Sequence, residues 1–475
     1  MPFPSPPNEV GNHYPMGLLP PDLPRKADRT LDQLRLCEYN EFIPEMEVPS
    51  LISVDEALTE ILRHIQPLEP EYVPILEALG RVLAEDIVSD IDIPPFDNSG
   101  MDGYAVRASD VAGAAREAPV RLTVIDSVAA GQVSRVQVEP GTAIRIMTGA
   151  PMPEGADAVV PFEDTSDYDR PKEARLSAPA DWIEVRKAVR PGDNVRPAGE
   201  DIRRGEVVLA RGRVLRPQEI GVLASLGHEM VWVHRRPRVA ILATGDELLE
   251  VHEPLAPGKI RNSNEYSNAA LVIRTGGIPI RLGIARDTQA DLKAKIRAGL
   301  EQGADLFLTS GGVSVGDYDV VKDVLGTEGR MQFWQVRMKP GKPLAFGLLP
   351  GRRPGQSVPL IGLPGNPVSA MVSFEQFARP AILKMLGHTV LDKPTIQAIL
   401  DEPLTNSGRR AFVRVIVTRQ DDGYHARTTG EQGSGVLTSM AKANGLAVIP
   451  ERIERVAAGS WVTVQMLDWP EGIRL

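Results

Sequence analysis

Four short stretches carry residues whose types and spacing suit the binding of a phosphate or another oxyanion. In ATGDEL (243–248), Asp246 and Glu247 follow Gly245 directly after an apolar run. In TSGGVSVGDYD (309–319), Gly311, Gly312 and Gly316 stand among Ser310, Ser314, Asp317 and Asp319. Glycines at such a turn admit positive φ and let backbone N–H groups approach an anion. GLPGNPVS (362–369) places Asn366 at an N-cap position and Pro367 at the first helical position, which predicts free N–H groups beside the Ser369 hydroxyl. RMKPGKP (337–343) holds Lys339 and Lys342 three residues apart on a loop stiffened by two prolines, a form suited to a small oxyanion. The carboxylates Asp246, Glu247 and Asp319 are oxygen ligands of the kind Mg²⁺ takes alongside substrate phosphate. Taken singly, each stretch also reads as a capped turn or a solvated charge pair; convergence on one edge is what favours a site.

That edge follows from the elements in between. RVAILAT (238–244), PIRLGIA (279–285), DLFLTS (305–310) and VPLIGLPG (358–365) read as buried strands, and SNAALVIRTGG (267–277), TQADLKAKIRAGLEQG (288–303) and NPVSAMVSFEQFARPAILKML (366–386) as helices. The alternation predicts parallel strands between helices, with ligands beyond the carboxyl ends of the strands. Upstream, SVDEALTEILRHI (53–65) predicts a helix with Ser53 as N-cap and Glu56 completing a capping box. Short strands broken by glycine and proline between Ile87 and Val189 predict a small all-β module. RPQEIGVLASLG (216–227) reads as a further helix, and RAFVRVIVTRQ, LAVIP and WVTVQML after Leu391 as a terminal β-barrel or sandwich. The proline-rich start reads as an extended arm over 1–49, within which residues 30–42 are suited to a short helix on contact with a neighbour. The expected fold class is therefore α/β plus β. Its parts are a linker or dimerisation domain from 50–90 and 190–218, a β domain at 91–189, a three-layer α/β domain with a mostly parallel sheet at 219–387, and a barrel at 388–475.

At 475 residues the chain is about three times the usual length of one domain. Hydrophobic content of 42% and charged content of 24% exclude a wholly disordered polymer. The net charge of −10 argues against nonspecific nucleic-acid binding, where neutralised phosphates supply most of the affinity. One cysteine, Cys37, permits no internal disulfide or cysteine-built zinc site, and MPFPSPPNEV lacks the pattern of a signal peptide. With no apolar run of the ~18 residues a membrane span needs, a cytoplasmic protein that uses no membrane is expected.

PPFDNSGMDGYAVR, RIMTGAPMPEGADAVV, GDNVRPAGEDI, ATGDEL, TSGGVSVGDYD, MKPGKP and GLPGNPVSA follow one another in that order. From about residue 50 to the C-terminus, the chain resembles the molybdopterin molybdenumtransferases, the family that includes the E domain of gephyrin. The resemblance implies transfer of molybdenum from molybdate to adenylylated molybdopterin with release of AMP, Mg²⁺ as cofactor, a homodimer, and an upstream molybdopterin adenylyltransferase. It implies a site between the α/β domain of one subunit and the β module of the other. Catalytic positions carried over are Asp102, Thr148, Asp201, Glu247, Asp287 and Asp319, with Asp246, Glu247 and Asp319 as Mg²⁺ candidates. Adenylylated molybdopterin would meet Thr244, Gly245, Asp246, Ser310, Gly311, Gly312 and Ser314. Molybdate would meet Lys339, Lys342, Ser369, Arg414 and Ser434. The chain departs from its relatives at Gln335, where some carry lysine, and at Asp317-Tyr318-Asp319, where either carboxylate fits and spacing from Gly316 favours Asp319. Tungstate fits the same signature as molybdate. Rival readings are an adenylyltransferase-type enzyme, whose relatives lack the β module and barrel, and a non-enzymatic scaffold of the gephyrin kind.

Overall fold

The structure, a computed structural model, describes residues 50–171, 180–312 and 330–468. The expected arm and the positions Ser314, Asp317 and Asp319 lie outside the described residues.

A seven-stranded sheet organises the α/β part. Ile278–Ala285, Arg238–Thr244, Leu306–Ser310 and Ser357–Leu363 are all parallel in that spatial order. Alternate residues of these strands feed two cores: Val239 and Ile241 pack with one set of helices, Ala240 and Leu242 with another. The result is the expected three-layer arrangement. Three strands escaped the sequence reading. Pro343–Pro350 and Arg330–Val336 extend the sheet as an antiparallel pair, and Ser50–Ile52 adds parallel to Arg330–Val336 at the edge.

The helix Val54–Arg63 begins as its sequence predicts, with Glu56 N–H donating to Ser53 Oγ and Ser53 N–H donating to the Glu56 carboxylate. Such a cap contributes about 1 kcal/mol. Its apolar face (Val54, Ala57, Ile61) joins the α/β core, whereas Ile220, Leu223, Val231 and Val233 pack with Val73, Leu83 and Ile87 in a separate small core. Packing thus groups residues 54–65 with the α/β core and residues 220–233 with the small core of Val73, Leu83 and Ile87. The helix after GLPG runs from Pro367 to Met385 but widens to a π-turn over Phe374–Ala378. Pro380 lies just beyond it; lacking an N–H, it cannot bond the carbonyl one turn back, and the wider turn accommodates the ring.

The β module is a five-stranded sheet ordered Ala158–Pro161, Gly103–Val106, Thr142–Ile146, Val120–Val128 and Trp182–Val185. At the other end of the chain, Thr395–Leu400, Arg410–Gln420, Gly423–Thr428, Gly445–Ile449 and Trp461–Met466 close into a five-stranded barrel, because Arg410–Gln420 pairs with both Gly423–Thr428 and Gly445–Ile449. Met338–Lys339 pairs with the start of Arg410–Gln420, which ties the lysine loop to the barrel. No helix among the described residues is long and apolar enough to cross a membrane.

Candidate active site

Two cavities meet at the carboxyl edge of the parallel strands. The larger, about 860 Å³, is lined by Glu247, Gly311 and Gly312 from the sheet loops, Lys339 and Lys342 from the lysine loop, and Ser369 from the helix that follows GLPGNP. The barrel closes it with Arg409, Glu431, Gln432, Gly433 and Ser434. Three cations therefore face two carboxylates, and none of Lys339, Lys342 or Arg409 is ion-paired among the described residues. A smaller cavity of about 410 Å³ adjoins it, sharing Glu247, Ile260, Gly311, Gly365 and Asn366, and reaches Thr244, Asn262, Asn264 and Ser310.

Local chemistry explains how the loops hold this form. Gly311 has φ of 94°, and a Cβ there would meet the Thr244 carbonyl oxygen at 2.7 Å, so the backbones pass at a distance only glycine allows. Gly341 is held just as closely, 2.6 Å from a would-be Cβ to Ser373 Oγ, which seats the lysine loop on the helix. Asp246 and Asp287 cap one another: Asp246 N–H donates to Asp287 Oδ2 at 3.3 Å and Asp287 N–H to Asp246 Oδ1 at 3.4 Å. Lys259 Nζ donates to the Asp246 carbonyl at 2.6 Å and steadies the turn.

The helix start differs from expectation. Asn366 occupies the N-cap, but its side chain makes no capping bond and it lines both cavities. The Val368 N–H donates to the Ser434 carbonyl at 3.1 Å, so this amide fastens the barrel loop to the helix rather than facing a ligand.

Arg414 does not line either cavity. It is 1% exposed, donates to Ser439 Oγ and the Gly433 carbonyl, and its backbone N–H donates to Gln432, so it holds the loop that carries Ser434 from behind. The cavity's arginine is Arg409, five residues earlier. Nothing in the sequence separated it from Arg410, whose guanidinium is taken by Asp55 at 2.7 and 2.8 Å. Arg409, Glu431, Gln432 and Asn264 were all missed. Asn264 follows the N-cap Asn262 of helix Ser263–Arg274, which begins four residues before the predicted 267; the polar string RNSNEYS had masked the start.

In the β module, Asp102 and Thr148 meet: the Thr148 N–H and hydroxyl donate to Asp102 Oδ1 at 2.7 and 2.8 Å. These two bonds hold the Asp102 carboxyl below the usual carboxylate range. Asp201 is exposed, its N–H bonded to the Ile93 carbonyl. Asp102, Thr148 and Asp201 line neither cavity of this chain.

Against known proteins, three family descriptions cover the chain in order: MoeA N-terminal region (domain I and II) at 52–227, probable molybdopterin binding domain at 240–384, and MoeA C-terminal region (domain IV) at 397–467. A molybdopterin molybdenumtransferase 2 of Mycobacterium tuberculosis is 38% identical over 420 residues, 87% of this chain and 98% of that one. The chain belongs to the molybdopterin molybdenumtransferase family. A Bacillus subtilis molybdopterin molybdenumtransferase is 37% identical over 436 residues, 90% of this chain and 97% of the relative. Among solved structures, the molybdopterin biosynthesis moeA protein of Pyrococcus horikoshii OT3 superposes with a TM-score of 0.72 at 34% identity, covering 88% of this chain and 100% of that one.

Proposed function

We propose that this molybdenumtransferase-family chain inserts molybdenum from molybdate into adenylylated molybdopterin and releases AMP. The observation that carries the reading is the 860 Å³ cavity, in which three cations, Lys339, Lys342 and Arg409, outnumber the two carboxylates and stand with Ser369 and Ser434. An oxyanion held there lies next to the Gly311 loop and the cavity it shares with Asn264 and Ser310. Cleaving the adenylate breaks a phosphate link, and the barrier falls through positioning and neutralisation of the developing charge. The attacking oxygen comes from molybdate or water, so no histidine is required. Tungstate, alike in size and charge, is an alternative oxyanion.

The carboxylates fit Mg²⁺ bound chiefly through substrate phosphate. No three His, Cys, Asp or Glu side chains converge for a metal among the described residues. Asp246 and Asp287 each commit one oxygen to the other's N–H, which leaves each an oxygen for the one or two protein carboxylates Mg²⁺ typically takes. Glu247 stands beside them, with Asp319 the further candidate. The ion would supply neutralisation of phosphate charge.

Asp102, Thr148 and Asp201 enter the proposal through a homodimer, a second copy bringing the β module to the cavity. Exposed apolar groups support an interface: Leu76 is 79% exposed, and Tyr72 and Trp232 contact one another on the surface at 5.0 Å between ring centroids. A cytoplasmic site of action, served by a molybdopterin adenylyltransferase upstream, completes the reading; no nucleic acid or membrane takes part. Purified protein given adenylylated molybdopterin, molybdate and Mg²⁺ should release AMP. Glu247→Ala and Asp102→Ala should abolish release while leaving the oligomer intact, and normal turnover by both would overturn the site.

A further inference from the structure

Three consecutive carbonyls hold the turn that carries Glu247. The Gly245 carbonyl accepts from the Leu248 N–H at 3.3 Å, the Asp246 carbonyl from Lys259 Nζ at 2.6 Å, and the Glu247 carbonyl from the Ile260 N–H at 2.9 Å. The first is a bond within the turn, and the last accompanies the parallel pairing of Leu248–Leu249 with Ile260–Arg261. Only the middle bond depends on a side chain. Local sequence places that side chain: Ala256 to Lys259 form a β-turn closed by the Lys259 N–H and the Ala256 carbonyl at 3.1 Å. Pro257 and Gly258, the latter with φ of 74°, occupy the two central positions that suit them.

The Asp246 carbonyl belongs to the peptide plane that joins Asp246 to Glu247. A bond to that oxygen therefore fixes the direction in which the Glu247 side chain leaves the backbone. A Cβ at Gly245 would overlap both carboxylate oxygens of Glu247, so the carboxylate lies folded against the glycine and its place follows the turn. Glu247 lines both cavities, whereas Lys259 lines neither.

We propose that Lys259 is a positioning residue for Glu247: its ammonium, bonded to the Asp246 carbonyl from behind, sets the place of the carboxylate where the two cavities meet. The inference rests on the proposed part of Glu247 in adenylate cleavage. It gives this lysine a task different from that of Lys339 and Lys342. Those two face the oxyanion cavity and govern molybdate affinity; Lys259 faces the backbone and governs the rate once substrate is bound.

The test measures AMP release by the full chain over a molybdate titration, for Lys259→Met and Lys259→Arg. Lys259→Met keeps the apolar stem and removes the ammonium. It should lower turnover about tenfold and leave half-saturating molybdate within about twofold, the signature of a group misplaced in the bound complex. Its urea midpoint should shift little, because Lys259 is exposed and water replaces the ammonium at the carbonyl. Lys259→Arg should recover turnover to within about threefold, since a guanidinium also donates to that oxygen. Normal turnover by Lys259→Met overturns the inference, as does a loss confined to molybdate affinity or an equal loss in both variants. Glu247→Ala, run alongside, keeps the two readings apart. If it abolishes release while Lys259→Met turns over normally, this inference alone fails; if Glu247→Ala itself turns over normally, the reading of Glu247 fails and takes the inference with it.

Discussion

The α/β sheet has a cavity at each end, and the two are close in size. The one at the amino ends of the strands, about 930 Å³, is lined by Arg235, Glu69, Asp305, Arg352 and Arg353 among others. Its charges are largely consumed. Arg235 donates two bonds to Asp305 at 2.6 and 2.7 Å and a third to Glu69 at 2.7 Å, while Arg352 donates to the Glu301 carbonyl. At the carboxyl end, a cavity of about 860 Å³ holds three cations with no ion partner among the described residues, and the smaller cavity beside it is lined by Asn264 and Ser310, whose Oδ1 and Oγ have no hydrogen-bond partner among those residues. Volume does not distinguish the two ends; unmet chemistry does. One end uses arginine to hold the fold, and the other leaves cations without an ion partner among the described residues.

The sharpest way to break that contrast is to remove cations from the carboxyl end. Replacing Lys339 and Lys342 together by alanine should raise the half-saturating molybdate concentration on the order of a thousandfold, about 4 kcal/mol, since each charged hydrogen bond contributes about 1.5–3 kcal/mol. Chemical denaturation should show little change, because neither lysine has an ion partner among the described residues. The converse holds at the amino end. Arg235→Ala leaves Asp305, 11% exposed at its side chain, without its guanidinium partner. A stability loss of about 2–3 kcal/mol is expected in urea unfolding, with molybdate affinity unchanged. A fall in affinity instead would mean that the two ends are coupled.

Adjacent arginines sharpen the contrast on a finer scale. Arg409 faces the cavity, whereas Arg410 is bound by Asp55 and by Glu451 at 3.2 Å. Arg409→Ala should weaken molybdate binding about tenfold at unchanged stability. Arg410→Ala should cost no more than about 1 kcal/mol, because Asp55 is largely exposed, and should leave affinity alone.

The same pair shows where sequence stops being informative. The parallel strands and the capped helix were legible because periodicity and capping are local: Val239 and Ile241 alternate with Ala240 and Leu242, and Ser53 and Glu56 sit at a fixed spacing. Glu247, Gly311, Lys339 and Ser369 were legible as a group because the strand order implied by alternation brings their loops to one edge. Arg409 and Arg410 were not separable. Which of two neighbouring side chains faces inward depends on strand register and on Asp55, some 350 residues away in the chain. Arg414 was misplaced for the same reason: its guanidinium points to the back of the loop it was expected to line. The strands at Arg330–Val336 and Pro343–Pro350 were missed because an antiparallel extension breaks the strand–helix alternation that identified the others.

A paired histidine in the barrel extends the contrast to pH. His425 lies between two carboxylates, Nδ1 2.7 Å from Asp401 and Nε2 2.9 Å from Asp422. Asp401 first and Asp422 second raise its pKa above the ordinary 6.5. A group whose folded pKa is raised stabilises fully below its unfolded value and loses that contribution as pH climbs through the folded one. Asp422 behaves oppositely. Its pKa is lowered by the same histidine, so its contribution appears above the unfolded carboxylate value and is lost as pH falls through the folded one. Barrel stability should therefore decline modestly on going from pH 6 to pH 9, read as a shift in the urea midpoint, and His425→Gln should flatten the slope. Molybdate affinity should be indifferent to His425→Gln throughout, because this charge is already satisfied within the fold. A variant that altered affinity would place His425 on the side of the unpaired lysines.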